Sequence, residues 1–407
     1  MKPSLSEPGL DPLKEAIFAG RAGGRSMALE ITFVTETFPP EINGVAMTVG
    51  RLVDGLRGRG HRVSVLRPRQ GKSDVGGEHE TPLPGLPLPG YPGLRFGLPA
   101  GRSLRRLWHQ RRPDLVHVVT EGPLGWSAVN TARHLGIPVT SGFHTNFDRY
   151  SAYYGLGWMR AGVATYLRAL HRRTLATMVP TEALAADLAG EGIVGVRVVG
   201  RGVDTTLFNP ARRSAQLRSR WGVAEGELAC LYVGRLAPEK NLALVEKSFA
   251  ALRALRPDAR MIWVGDGPSH GRLVREHPDQ HFAGVRIGED LAEHFASADL
   301  FLFPSLTETY GNVVAEAMAS GLPVLAFRSA AAAELIASGV DGISVAPGDD
   351  QAYLAAARTL VGQPEALREM GRRAAQAMGA RGWAAVVERF EAVACEARRT
   401  GGGLSGL

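Results

Sequence analysis

Two carboxylates, Glu308 and Glu316, bracket the stretch Phe303-Pro-Ser-Leu-Thr-Glu308-Thr-Tyr310-Gly311-Asn312-Val313-Val-Ala-Glu316-Ala-Met-Ala-Ser-Gly321-Leu-Pro323. The apolar run Leu300 to Phe303 before them has the length and aromatic content of a buried strand. Pro304 and Ser305 break it. A helix is predicted from Gly311-Asn312 to Ser320-Gly321, with Pro323 just beyond. Glu308 then lies in the loop and Glu316 two turns into the helix. The helix start offers unpaired N–H groups and a partial positive charge, which suits a phosphate. A carboxylate beside a phosphate site suits sugar hydroxyls. The unit reads as a site for a sugar nucleotide, although a strand–loop–helix connection with two glutamates is also ordinary architecture.

Other groups have matching chemistry. Arg235 and Lys240, in Gly234-Arg235-Leu-Ala-Pro-Glu-Lys240-Asn241, follow the apolar run Cys230–Val233. A guanidinium and an ammonium at a strand end suit a diphosphate, the first bidentate and the second a point charge. A solvated basic loop is the plainer reading. Gly265 and Gly267 form a glycine turn after another strand, and Gly44 lies in Glu36-Thr-Phe-Pro-Pro-Glu-Ile-Asn43-Gly44-Val45, where a missing side chain lets backbone approach a ligand. His144 follows the strand Pro138–Ser141.

The elements that must position these groups follow a simple rhythm. Six short apolar strands are predicted between Ile31 and Val203, at Ile31–Thr35, Val63–Leu66, Leu115–Val119, Pro138–Ser141, Thr177–Val179 and Gly195–Val199, with helices in the gaps. Strand–helix alternation argues for a parallel sheet covered on both faces. The pattern restarts with strands at Cys230–Val233, Arg260–Val264, Leu300–Phe303 and Val324–Ala326. Two such domains are expected in 407 residues, with the ligand cleft between them at the strands' C-terminal ends. The expected boundaries are a flexible tail over 1–26, an N-terminal acceptor-side Rossmann-like domain over 27–206, a donor-nucleotide domain over 207–382 and a last helix and tail over 383–407. The Pro/Gly-rich insertion Thr81–Pro99 is expected to be a surface loop without regular elements.

Composition narrows the function classes. No run of eighteen apolar residues occurs and no leader pattern opens the chain, so a cytoplasmic protein without a membrane span is expected. Cys230 and Cys395 read as buried reduced thiols. Residues 27–210 carry 21 Lys and Arg against 14 Asp and Glu, so the net charge of +7 belongs to the first half. That excess, with the aromatic and Arg residues between Tyr150 and Arg173, fits either a solvated surface or a peripheral contact with anionic membrane. No nucleic-acid motif and no zinc spacing are present.

The wording of the motifs is more specific than their physics. Glu308-x7-Glu316, Gly-Arg-Leu-x-x-Glu-Lys at Gly234–Lys240, the Gly44 loop and Gly202-Val203-Asp204-x3-Phe208-x-Pro210 together resemble the family-four retaining glycosyltransferases of GT-B fold, from about Ile31 to about Pro347. The resemblance implies two doubly wound Rossmann-like α/β domains facing across a cleft. It implies that Arg235 and Lys240 clamp the donor diphosphate, Glu308 holds donor-sugar hydroxyls and His144 lies near the reacting sugar. It also places Gly44, Gly265, Gly267, Ile287, Tyr310, Gly311, Asn312, Val313 and Glu316 around the donor nucleotide, with Glu316 on the ribose, and carries the last helix back to the first domain.

Within the family, His144-Thr-Asn-Phe-Asp-x2-Ser-x2-Tyr-Tyr-Gly-Leu-Gly-Trp158 and His171-Arg-Arg-Thr174 resemble GDP-mannose-dependent mannosyltransferases and related glycolipid and sulfolipid glycosyltransferases. The expected donor is GDP-mannose and the expected acceptor a lipid-linked or glycolipid molecule. A UDP-sugar-dependent diacylglycerol glycosyltransferase of the sulfoquinovosyl or glucosyl type is the alternative. A sugar-nucleotide epimerase would need an acid/base set that is not found, and a non-catalytic sugar-nucleotide binder sits badly with an intact motif series. No Asp-x-Asp occurs, so metal-independent transfer without a cofactor is expected.

Overall fold

The computed structural model describes residues 28–41, 43–71, 73–87, 95–144 and 160–402. The tail over 1–26 and most of the aromatic stretch from Tyr150 onward lie outside them.

Two parallel sheets carry the structure. The first runs through β1 (Glu30–Val34), β2 (Arg62–Pro68), β3 (Glu80–Leu83), β4 (Leu115–Val118), β5 (Val139–Gly142), β6 (Thr177–Val179) and β7 (Val196–Val198), in the order β3-β2-β1-β4-β5-β6-β7. The second runs through β8 (Ala229–Val233), β9 (Arg260–Val264), β10 (His281–Gly284), β11 (Leu300–Phe303), β12 (Val324–Phe327) and β13 (Ile343–Val345), in the order β10-β9-β8-β11-β12-β13. Both orders reverse at a switch point, between β1 and β4 in the first sheet and between β8 and β11 in the second. Loops leaving the strands there open a crevice where ligands bind.

The central strands are buried on both faces, which explains their continuous apolar runs. Leu300–Phe303 and Cys230–Val233 are wholly buried. In the first domain the sheet has a separate apolar layer on each side. One joins Ile31, Phe33, Val49 and Val53 to Val386, Val387 and Phe390. The other joins Val34, Val116 and Val118 to Leu104, Trp108 and Val129. The last helix, Trp383–Gly402, therefore completes the first domain's core, with the Phe390 ring stacked 5.4 Å from Phe33. A Cβ on Gly55 would stand 2.4 Å from Val387 Cγ2, so a glycine is what lets this helix seat.

One expectation is corrected. The Pro/Gly-rich insertion does form regular elements: Glu80–Leu83 pairs in parallel with β2, and Gly85–Pro87 pairs antiparallel with Arg95–Gly97. The first is an edge strand, where Pro82 removes no hydrogen bond that the sheet needs.

Candidate functional site

The two loops at the second sheet's switch point meet. One follows β8 and carries Arg235 and Lys240; the other follows β11 and carries Glu308. Lys240 Nζ lies 2.5 Å from Glu308 Oε1, and Ser305 Oγ donates to the same oxygen at 3.0 Å. Thr307 Oγ1 donates to the Glu239 carbonyl at 3.1 Å. Asn241, at φ 55 in the left-handed region, turns its Nδ2 toward the Pro304 carbonyl at 3.4 Å. Lys240 is buried and Glu308 half-buried. Arg235 is more open, its guanidinium 3.5 Å from the buried carboxylate of Glu239. The pair of cations thus sits on a braced frame.

The glycine turn supplies part of that brace. Gly265 has φ 133, and a Cβ there would fall 2.0 Å from the Gly234 carbonyl oxygen. A Cβ on Gly267 would fall 2.5 Å from the Leu236 carbonyl oxygen. Leu236 N–H donates to the Asp266 carbonyl at 2.9 Å. The turn packs directly on the Arg235 loop, and only glycine permits that approach.

Gly311, at φ 86, starts the helix Asn312–Ala319 and provides no side-chain cap. The first N–H groups of that helix have no partner within it. Glu316, one turn on, is half-buried and has no hydrogen-bond or ion-pair partner for its carboxylate among the described residues. Burial alone pushes its pKa up to about 7. Tyr310 is buried, and burial raises its phenol to about 12. Val313 is half-buried; Ile287 is 56% exposed at the start of the helix Gly288–Ser297.

The first domain reaches this site through Gly44. It opens the helix Gly44–Gly58, whose start is capped by Asn43 Oδ1 accepting from Val45 and Ala46. A Cβ on Gly44 would stand 3.7 Å from Asn312 Nδ2. The two helix starts therefore face each other across the cleft. His144 is nearly buried, its Nε2 edge against Gly142, where a Cβ would fall 2.4 Å away. Its Nδ1 accepts from Arg201 Nη2 at 2.5 Å. Burial, then the cation of Arg201, hold the imidazole well below its ordinary pKa, so it is neutral. Arg201 was not singled out by the sequence. It precedes the Gly202-Val203-Asp204 signature, which is its one local signal. Asp204 binds backbone, accepting from Thr206 and Leu207 N–H, and also pairs with Arg51 at 2.8 Å.

The chain is similar to known glycosyltransferases along both domains. The Glycosyltransferase Family 4 model matches residues 42–207, and the Glycosyl transferases group 1 model matches residues 227–363. A GDP-mannose-dependent alpha-mannosyltransferase of Mycolicibacterium smegmatis is 33% identical over 89% of this chain and 96% of its own length. The chain is a family-four glycosyltransferase.

Sulfoquinovosyl transferase SQD2 of Arabidopsis thaliana is 30% identical over 82% of this glycosyltransferase and 67% of its own length. Sucrose-phosphate synthase from Thermosynechococcus elongatus superposes with a TM-score of 0.75 at 18% identity, over 91% of this chain and all of that one. The GT-B architecture follows: two Rossmann-like domains of mixed α/β structure.

A cavity and a carboxylate–histidine group lie elsewhere in the structure. Beyond β1 and β4 a cavity of about 820 Å³ opens between Glu36, Glu121, Trp126, Val163, Tyr166 and Leu167. Burial, then the neighbouring Glu121, raise Glu36 to about 7, although its carboxylate accepts from Gly97 N–H. Tyr166 stacks on Trp126 at 5.1 Å and donates to the Glu121 carbonyl. Arg173 lies over the same tryptophan at 4.7 Å. Of the described aromatic and Arg residues before Thr174, these two therefore serve packing. Among the described residues, one group with metal-ligand spacing occurs, Glu246, Glu276 and His277. Arg272 is ion-paired to both glutamates, which satisfies the cluster.

Proposed function

We propose that this glycosyltransferase moves a mannosyl group from GDP-mannose to a lipid-linked or glycolipid acceptor, with retention at the anomeric carbon and without a metal ion. The observation that carries the donor is the 33% identity with a GDP-mannose-dependent alpha-mannosyltransferase over nearly the whole of both chains, and a lipid acceptor is suggested by the 27% identity with an alpha-monoglucosyldiacylglycerol synthase.

The geometry supports a division of labour. Arg235, Lys240 and the N–H groups at Asn312 and Val313 receive the diphosphate and stabilise charge as it leaves. Glu316, desolvated and unpartnered, accepts from the two ribose hydroxyls. Glu308 orients the donor sugar through its hydroxyls. The acceptor hydroxyl attacks the anomeric carbon on the face that the diphosphate leaves, the C–O bond to phosphate breaks as the new one forms, and the acceptor proton passes to the departing phosphate oxygen. With cations and helix N–H groups in place, and no Asp-x-Asp in the sequence, the leaving group needs no bridging metal.

The acceptor side is built for an amphiphile. The cavity beside Trp126 and Tyr166 is mainly apolar, with Glu36 and Glu121 at one end for hydroxyls. The adjacent helix Gly101–Gln110 buries Leu104 and Trp108 and exposes Arg102, Arg105 and Arg106, with His109, Arg111 and Arg112 following. Such a face suits reversible docking on anionic headgroups at the inner side of the cell membrane. Among the described residues, no helix is long and apolar enough to cross a membrane.

The test is a thermal-shift screen of the full chain with GDP-mannose, UDP-glucose and ADP-glucose, followed by transfer assays on lipid acceptors. A tight ligand raises the melting temperature by mass action. Stabilisation by GDP-mannose alone, with transfer to lipid, is the expected result. Preference for a UDP-sugar with transfer to diacylglycerol would replace this reading by the sulfoquinovosyl or glucosyl type, which the Arabidopsis relative favours.

A further inference from the structure

Arg201 has no carboxylate partner among the described residues. Its one hydrogen bond among the described residues goes to neutral His144, at 2.5 Å. The phenol of Tyr310, from the loop after β11 in the second domain, lies within electrostatic reach of it and is itself neutral. The guanidinium thus lies against a first-domain histidine and within reach of a second-domain tyrosine, and neither offsets its charge.

The backbone that holds it is fixed. A Cβ on Gly202 would fall 2.7 Å from the backbone of Trp383, and Val203 N–H donates to the Arg381 carbonyl at 3.0 Å. Burial draws the guanidinium down to about 10, so it stays charged at neutral pH. Desolvating a charge without a counter-ion is costly, and such a group is ordinarily paired. The diphosphate already has Arg235, Lys240 and a helix start. Arg201 belongs to the other domain and is held against His144, on the side where donor sugar and acceptor headgroup would meet.

We propose that Arg201 is a specificity residue that receives an anionic oxygen of the substrate, a carboxylate, sulfonate or phosphodiester carried by the donor sugar or by the acceptor headgroup. A planar guanidinium with its Nη2 committed to His144 still presents further N–H groups to an oxyanion. The proposal rests on the glycosyl-transfer reading and adds to it the charge of one substrate.

Matched pairs test it in the full chain. The donor arm compares GDP-mannuronate with GDP-mannose and UDP-glucuronate with UDP-glucose. The acceptor arm compares a uronosyl-diacylglycerol with its neutral hexosyl counterpart. Each is measured with the parent enzyme, Arg201→Met and Arg201→Lys, as kcat/KM and as calorimetric affinity. The parent is expected to prefer the anionic member in one arm by tenfold or more. Arg201→Met should erase at least tenfold of that ratio, and Arg201→Lys should restore part of it. The arm that responds identifies the source of the anion. Equal losses on both members of every pair would overturn the proposal and leave Arg201 as a support for His144. A parent that prefers the neutral member in both arms would overturn it as well. The affinities need no turnover, so absence of mannosyl transfer would refute the proposed function while the Arg201 ratio stays readable.

Discussion

Lys240 Nζ stands 2.5 Å from Glu308 Oε1, so the cation proposed for phosphate and the carboxylate proposed for sugar are joined to each other. A diphosphate arriving at Lys240 competes for that ammonium. On the proposed assignment, release of Glu308 toward the sugar hydroxyls would be coupled to occupancy of the phosphate site.

Lys240→Ala is expected to weaken nucleoside diphosphate binding and to lower turnover together, because it removes a phosphate contact and strands Glu308 half-buried. Glu308→Gln should keep nucleotide affinity and lose mainly kcat. Calorimetry and steady-state kinetics on the two variants separate these effects. A Glu308→Gln enzyme with parental kcat would exclude Glu308 from the reacting sugar.

Arg235→Ala and Glu316→Ala should each weaken nucleotide binding by roughly 1.5–3 kcal/mol, the worth of a charged hydrogen bond. Isothermal titration with GDP reads this directly. Parental affinity in both variants would remove the diphosphate and ribose assignments.

Glu316 and Glu36 give the protein a pH dependence with a definite sign. Burial raises both to about 7 from the ordinary 4.5. A raised carboxyl stabilises the fold fully below its unfolded pKa, and that stability is lost as pH rises through the folded value. The melting temperature of the free protein should therefore fall between about pH 4.5 and pH 7, less so in Glu316→Gln. Nucleotide affinity should run the other way through Glu316, since the ionised form accepts ribose hydroxyls. Titrations with the parent and Glu316→Gln at pH 5.5 and 8 isolate that contribution. A rise in affinity that is equal in both proteins would assign it to the nucleotide's own ionisation.

Transfer should persist in excess EDTA if, as proposed, Arg235, Lys240 and the helix start carry the leaving group. The deciding measurement is turnover before and after chelation. Abolition by EDTA with recovery on adding magnesium or manganese would contradict this.

The full chain should co-sediment with phosphatidylglycerol vesicles and not with phosphatidylcholine. Raising salt should release it, since screening is felt over about 10 Å at 0.1 M. Replacing Arg102, Arg105 and Arg106 by Gln should weaken the attachment, at about 1 kcal/mol per residue near the surface. Failure to pellet with either lipid would point to an acceptor in solution.

The main strands were legible because parallel strands buried on both faces read as unbroken apolar runs, as at Leu300–Phe303. The short strands His281–Gly284 and Ile343–Val345 were not, since each is an edge strand only partly covered by side chains. Pro82 concealed a third edge strand for the reason given above. Motifs named Lys240 and Glu308, but nothing local said that they touch; the crossing order of β8 and β11 does that. The His144–Arg201 contact left no trace in the sequence. It joins two loops of the first domain through a single hydrogen bond, and no periodicity marks such a meeting.

Val386, Val387 and Phe390 fill the core beneath β1, yet in the chain they follow the whole of the second sheet. The first sheet therefore cannot close its core before the second has been synthesised. Until the helix Trp383–Gly402 emerges, Phe33, Val49 and Val53 lack one wall of their core. Loss of residues beyond Arg381 would then damage the half of the molecule farthest away along the chain.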